Sequence, residues 1–360
     1  MRKCIKLMSL ALIMSSCTHF SNKKNERPTT EVIANNTNWL DVKGDTIYAH
    51  EGGVTRFGFV FYWYGTNYKN NPAGKYGIDA AKHGVVNGIN VYSSSDLLNW
   101  EYEGVALAVP DSNKAYNGSS HRPHVLYNNK TKKYVMWFFH FRDKYPDILG
   151  TVAVSDSPTG PFKIVGTQKT GSPEIKNAQS FYAEQKTTGP AGCSQDLNVF
   201  QDEDGSAYLV YDDGTRNIRI DKLNDDYLST QKQGIIVLPS GNERHESPAM
   251  AKYKDKYIVA AGCVNGWGGS PTYYSVANNP MGPYSKKKLL APFPNLNTWN
   301  SQLTNLLYIE ETDVLVAMGD QWWIPDNQDI NKSRYLWLPV FFDEKTEEFQ
   351  LKYKDSWKPF

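Results

Sequence analysis

Five aromatic-rich, β-branched runs recur along the chain: FGFVFYWYG (57–65), YVMWFFHF (134–141), AYLVYDD (207–213), YIVAAG (257–262) and VLVAMGD (314–320). Each is short and almost continuously apolar, which predicts a buried β-strand. A second short strand precedes four of them: RPHVLY (122–127), DLNVFQD (196–202), SPAMAKY (247–253) and SQLTNLLYI (301–309). After the first four runs comes an outer strand that closes in a polar turn. These outer strands rhyme: NVYSSSDLLNW (90–100), VAVSDSPTGPF (152–162), IRIDKLNDDYL (218–228) and SVANNPMGPY (275–284). A repeat of roughly 50 to 75 residues, with several strands and turn-rich joints in each unit, is the pattern of a radial sheet array. The expected fold is all-β, a five-bladed β-propeller.

Composition fits this reading. With 23 Tyr, 15 Phe and 10 Trp, the chain has wide flat rings to fill the space between packed sheets. Some rings have a second use, stacking on the C–H face of a sugar. Trp267, Trp299, Trp322 and Trp323 fall in loops between predicted strands and are the candidates for that role. A formal net charge of +1 argues against a nucleic-acid or anionic-membrane partner. The chain has neither a phosphate-binding loop nor zinc-ligand spacing. It also lacks the acidic, oxygen-rich loop that would make calcium in a central channel an expectation, so no cofactor is expected.

The N-terminus reads as an export signal. A basic start, MRKCIK, precedes the apolar run LMSLALIM, and Ser15-Ser16-Cys17 stands where a signal peptidase would cut. The small-small-Cys ending resembles a bacterial lipobox, with Met14 at the usual Leu position, and makes Cys17 the expected lipidated residue. Residues 18–38 are polar and suit a flexible tether. The expected organisation is a signal peptide with lipobox over 1–17, a tether over 18–38 and a propeller over 39–360. The expected location is the bacterial cell envelope, periplasmic face or surface, with a monomer touching the membrane only through its lipid. Cys193 and Cys263 remain in the propeller, either as a disulfide or as two thiols.

In a propeller the innermost strands line the central axis, so their first residues converge at one mouth. Blade one offers Asp45, His50 and Glu51, blade two His121, blade three Asp196, blade four Glu246 and blade five Gln302. A lone carboxylate ahead of a strand can simply satisfy turn donors. Asp196 and Glu246, at matching offsets in adjacent blades, point further: two carboxyl groups across an aromatic pocket are what glycosidic bond cleavage requires.

The segments IYAHEGG, FYWYG, GINVYSSSDLLNW, RPHVLYN, VAVSDSPTGPF, DLNVFQDEDGSAYLVY, ESPAMAKY, GCVNGW, NSQ and MGDQW followed by SRYLWLPV resemble, in this order, glycoside hydrolase family 43. They are most similar to its exo-β-1,3-galactanase branch. The resemblance implies a five-bladed propeller that hydrolyses with inversion, with Glu246 as general acid and Asp196 as the group that orients it and raises its pKa. Most of the family use a first-blade aspartate as base, which this branch lacks. For the branch, the resemblance places Gln302 as base in imidic-acid form; as a plain amide it is instead a water- or substrate-positioning group.

The chain departs from the branch at three places. His121 stands where a glutamate precedes Arg-Pro, Thr66 where the YWYG segment ends in glutamate, and Glu51 follows His50 where a glycine is usual. Glu51 restores a carboxylate from a neighbouring position. His121 is expected either to donate to substrate, to pair with Asp196, or to be structural. The expected substrate-binding set is His50, Glu51, Thr66, His121, Trp267, Trp299 and Trp322.

The implied activity is exo-acting, inverting removal of a terminal sugar from plant-type polysaccharide, in the first place β-1,3-linked galactose of galactan or arabinogalactan. An α-L-arabinofuranosidase or β-xylosidase of the same family is the near alternative. A non-hydrolytic glycan-binding lipoprotein is the distant one.

Overall fold

The computed structural model describes residues 29–68, 88–108, 118–142, 148–168, 196–322 and 330–360. A short strand, β1 (Ile33–Ala34), precedes five four-stranded antiparallel sheets. Blade one is β2 (His50–Phe57), β3 (Val60–Asn67), β4 (Gly88–Ser94) and β5 (Glu101–Leu107). Blade two is β6 (Gly118–Asn128), β7 (Lys133–Arg142), β8 (Ile148–Ser155) and β9 (Lys163–Gln168). Blade three is β10 (Leu197–Gln201), β11 (Ala207–Asp212), β12 (Ile218–Lys222) and β13 (Ile235–Leu238). Blade four is β14 (His245–Tyr253), β15 (Lys256–Cys263), β16 (Thr272–Ala277) and β17 (Lys288–Leu289). Blade five is β18 (Gln302–Ile309), β19 (Val314–Gln321), β20 (Arg334–Asp343) and β21 (Glu348–Leu351), and β22 (Ser356–Trp357) ends the chain.

The innermost strands close a ring, β2 against β6, β6 against β10, β10 against β14, β14 against β18 and β18 against β2. The fold is a five-bladed β-propeller. The strands read as outer from sequence are the third of each blade; a fourth, β5, β9, β13 or β17, lies beyond each of them. The last blade supplies its own third strand, β20.

The five apolar runs are the second strands, and their continuity has a geometric cause. Successive side chains of a strand point to opposite faces, and here both faces meet a neighbouring blade. In β11, Leu209 and Tyr211 pack toward Trp137 of blade two, while Tyr208 and Val210 pack toward Met250 and Val259 of blade four. Likewise β19 sends Leu315 and Ala317 toward blade four and Val316 and Met318 toward Trp63 of blade one. A strand buried on both faces cannot alternate apolar with polar, so the hydrophobic run is unbroken.

No blade shares strands between the two ends of the chain, so the ring needs another clasp. β1 pairs antiparallel with β22, Ile33 opposite Trp357. Residues 33–38, assigned to the tether by composition, therefore belong to the folded ring, and Ile33 is buried among Trp63, Trp100 and Trp337. The neighbouring Asn35 side chain donates to the carbonyls of Trp337 (3.1 Å) and Lys354 (2.8 Å) and accepts from the Trp337 amide (2.9 Å). Polarity marked this segment as tether, but the Asn35 amide fills backbone positions that would otherwise be orphaned.

Residues 1–28, with Cys17, and Cys193 and Trp323 lie outside the described residues. Cys263 is unpaired among the described residues, and burial pushes its thiol up to about 11. No helix among the described residues is long and apolar enough to cross a membrane.

Asn35→Ala is expected to lower the unfolding free energy by about 1–3 kcal/mol, the cost of leaving the buried Trp337 amide without an acceptor. Chemical denaturation checks this: the midpoint should fall with an unchanged slope, whereas an unchanged midpoint would show that the clasp does not depend on Asn35.

Candidate active site

Three inner strands break register at the same place. The shift lies between His50 and Gly53 in β2, between His121 and His124 in β6, and between Glu246 and Ala249 in β14. In each, the second residue is left-handed: Glu51 at φ 61°, Arg122 at φ 54° and Ser247 at φ 57°. A non-glycine residue held there costs on the order of 1–3 kcal/mol, and such strain collects at functional sites. Bulges re-aim side chains, and these three turn the heads of blades one, two and four toward the axis.

Arg122 reaches furthest. It donates to the Leu303 carbonyl of blade five (2.8 Å) and the Ser247 hydroxyl of blade four (2.7 Å), and lies 3.2 Å from Asp196 of blade three. The same Asp196 oxygen accepts the Ser247 amide and hydroxyl, both at 2.9 Å. Asp196 is thus locked beside blade four, and its cationic partner is Arg122; His121, a candidate for that role, does not fill it.

Glu246, 8 % exposed, sits at the head of β14. Its Oε1 accepts from the Asn265 amide (3.1 Å) and from Gln302 Nε2 (3.0 Å), and its Oε2 lies 3.8 Å from Arg216. Burial first, and then the charge of Asp196, push its pKa up to about 7, against the opposing pull of Arg216. Because Oε1 already takes two N–H donors, the proton of the neutral acid belongs on Oε2. Behind it Arg216 binds Asp212, a fully buried carboxyl that burial raises to about 6.

Gln302 opens β18 and bridges the acid to an aromatic wall. Trp322 Nε1 donates to its Oε1 at 2.9 Å, and its Nε2 also donates to the Gly266 carbonyl at 3.3 Å. An indole N–H can only donate, which fixes the amide orientation. Trp267 meets Trp322 edge-on with centroids 4.5 Å apart, and Tyr68 completes the wall.

At the head of blade one, Glu51 Oε2 lies 2.7 Å from His121 Nδ1, and the Glu51 amide donates to Asp320 Oδ2 at 2.6 Å. Burial alone would raise the Glu51 pKa, but His121, Arg122 and the Tyr68 hydroxyl together hold it below the usual carboxylate range. His121 stacks on Phe139. His50 stacks on Tyr335 and binds Asp320 through Nδ1 (3.2 Å), and its buried Nε2 has no partner among the described residues.

The structure brings together Glu246, Asp196, Gln302, Trp322, Trp267, Glu51, His121 and His50. Among the described residues, three candidates stay outside this group. Thr66 is fully buried and donates to the Ser120 carbonyl, so its hydroxyl is committed to backbone. Trp299 packs on Tyr353 in the body of blade five. Asp45 is exposed in a hairpin closed by Asp41. Arg122, Ser247, Arg216, Asp212, Asp320 and Tyr68 were not singled out from sequence. For the first two a signal exists: Arg122-Pro123 and Ser247-Pro248 put proline inside an inner strand, which marks a bulge.

A family model described as Glycosyl hydrolases family 43 matches residues 54–325. Among solved structures, a family-43 β-1,3-galactosidase with galactodeoxynojirimycin is 29% identical, covering 91% of this chain and 100% of that one, with a TM-score of 0.77. An exo-β-1,3-galactanase from Phanerochaete chrysosporium with galactose is 27% identical, covering 91% of this chain and 68% of that one, TM-score 0.73. The exo-β-1,3-galactanase 1,3Gal43A from Clostridium thermocellum is 27% identical, covering 90% of this chain and 66% of that one, TM-score 0.75. This chain thus spans about two-thirds of the fungal and clostridial chains. No curated protein matches it.

A group that must hold a proton to act fails above its pKa, so turnover should fall tenfold per pH unit above about 7. Asp196→Asn removes the charge that, after burial, does most to raise the Glu246 pKa, and should move this alkaline limb to lower pH. A pH profile of kcat/KM for both proteins checks it; an unmoved limb would show that Asp196 does not tune the acid.

Proposed function

The chain belongs to the glycosyl hydrolases of family 43, and we propose that within this family of glycosidases it is an exo-acting, inverting β-1,3-galactosidase of galactan or arabinogalactan. The observation that carries the reaction is Glu246, a buried carboxyl whose pKa of about 7 keeps it protonated near neutrality while Oε2 stays available. Glu246 protonates the glycosidic oxygen as the bond to the anomeric carbon breaks. Water adds from the opposite face through an oxocarbenium-like state. Asp196 holds the acid in its neutral form, and Arg122 and Ser247 hold Asp196.

The sugar assignment draws on the β-1,3-galactosidase and exo-β-1,3-galactanases named above. On the site's own chemistry, Trp267, Trp322 and Tyr68 offer ring faces, and His50 Nε2 and the Glu51–His121 pair offer polar atoms to sugar hydroxyls. A site built on such hydroxyl contacts rejects sugars that lack the matching group. The lipobox reading completes the proposal: Cys17 anchors a monomer to the bacterial envelope, and Cys17→Ala should release it from the membrane fraction.

Incubation with β-1,3-galactan, arabinogalactan, arabinan and xylan, with Glu246→Gln alongside, tests the reading. Galactose should be the one sugar released. NMR should show it first as the α-anomer, and the variant should lose about 10²–10⁴ in rate. A different released sugar would overturn the substrate, a first-formed β-anomer would overturn inversion, and binding without release would favour a glycan-binding protein.

A further inference from the structure

We propose that Glu51 is the general base that activates the attacking water, and that Gln302 positions the acid. The inference rests on the inverting reading above, because only an inverting site needs a base on the face opposite the acid. Such a base stands about 6.5–9.5 Å from the acid, leaving room for sugar and water.

Gln302 does not meet that requirement. Its Nε2 is 3.0 Å from Glu246 Oε1, on the acid's own side, and also donates to Gly266, while its Oε1 accepts from Trp322. Two N–H donors at one end and a donor-only indole at the other hold it in the amide form, a very weak base.

The other carboxylates of the mouth can be taken in turn. Asp196 is bound by Arg122 and Ser247 next to blade four. Asp212 is buried behind the acid against Arg216. Asp320 spends one oxygen on His50 and the other on the Glu51 amide. Glu51 remains. It occupies the left-handed bulge position that in blades two and four belongs to Arg122 and Ser247, which meet each other 2.7 Å apart across the axis. Equivalent bulges aim equivalent side chains, so Glu51 is aimed inward from blade one. In the ring, blade one adjoins blades two and five, and blade four adjoins three and five. Glu51 and Glu246 therefore come to the axis from blades that do not adjoin.

His121, the Tyr68 hydroxyl and Asp320 hold Glu51 in place, the last through the Glu51 backbone. The His121 and Tyr68 contacts, with the charge of Arg122, also favour its ionised form, the form a base needs. In the step, water oxygen bonds to the anomeric carbon and gives its proton to the Glu51 carboxylate. The bond to the leaving oxygen breaks with its electron pair on that oxygen, which takes the proton of Glu246. Exchange with solvent restores both groups.

The test uses β-1,3-galactobiose with wild type, Glu51→Gln and Glu51→Gly. The glycine variant removes the carboxylate and suits the positive φ, so the fold is kept. Hydrolysis with inversion by wild type comes first; its absence would remove the reading on which the proposal stands. Given it, both variants should lose about 10²–10⁴ in kcat, with galactobiose affinity changed far less. Azide should then rescue Glu51→Gly by forming α-galactosyl azide, since a small anion needs no base. A folded Glu51→Gln within tenfold of wild type would overturn the proposal. So would an inactive, folded Glu51→Gly that binds galactobiose and yields no azide adduct.

Discussion

Arg122 is the contact on which the mouth of this propeller depends. One guanidinium, carried by blade two and buried on the axis, touches backbone of blade five, a hydroxyl of blade four and a carboxylate of blade three. Its charge also acts on Glu51 and Asp320. Buried charges persist only when paired and hydrogen-bonded. Here the pairing compels five blades, held elsewhere by apolar packing between neighbours, to agree at one point. The left-handed backbone at Arg122, Ser247 and Glu51 is the strain accepted for that convergence.

Around this cation the carboxyl groups diverge in character. Glu246 lies far enough from Arg216, and close enough to Asp196, that burial prevails and the proton stays. Glu51, in contact with His121, ends in the opposite state. Two similar side chains are thereby pushed apart in pKa, the arrangement that separates an acid from a base. Two of the three departures from the galactanase pattern meet here, since the histidine at 121 and the glutamate at 51 are direct partners.

The propeller was legible because its second strands are buried on both faces and so print as unbroken apolar runs. The outermost strands were not, because half-exposed segments such as β5 and the two-residue β17 carry little hydrophobic period. Asp196, Glu246 and Gln302 could be found as the heads of inner strands, where position alone brings them to the axis. Arg122 and Asp320 could not, since their roles arise from contacts between blades distant in the chain. Among the loop tryptophans, sequence does not say which face of a blade a ring takes. Trp267 and Trp322 turned to the mouth, and Trp299 turned to Tyr353. The tether boundary failed for a related reason: a polar segment can be structural when its amide groups cap backbone.

The separation of the two carboxyl groups is the central claim, and carbon-13 NMR titration of the glutamate carboxyls tests it most directly. The account predicts one resonance with a midpoint near pH 7, absent from Glu246→Gln. A second resonance, absent from Glu51→Gln, should titrate below the ordinary glutamate value of 4.5. If the resonance lost with Glu246 titrates in the ordinary carboxylate range, the acid is not held protonated and the account is wrong.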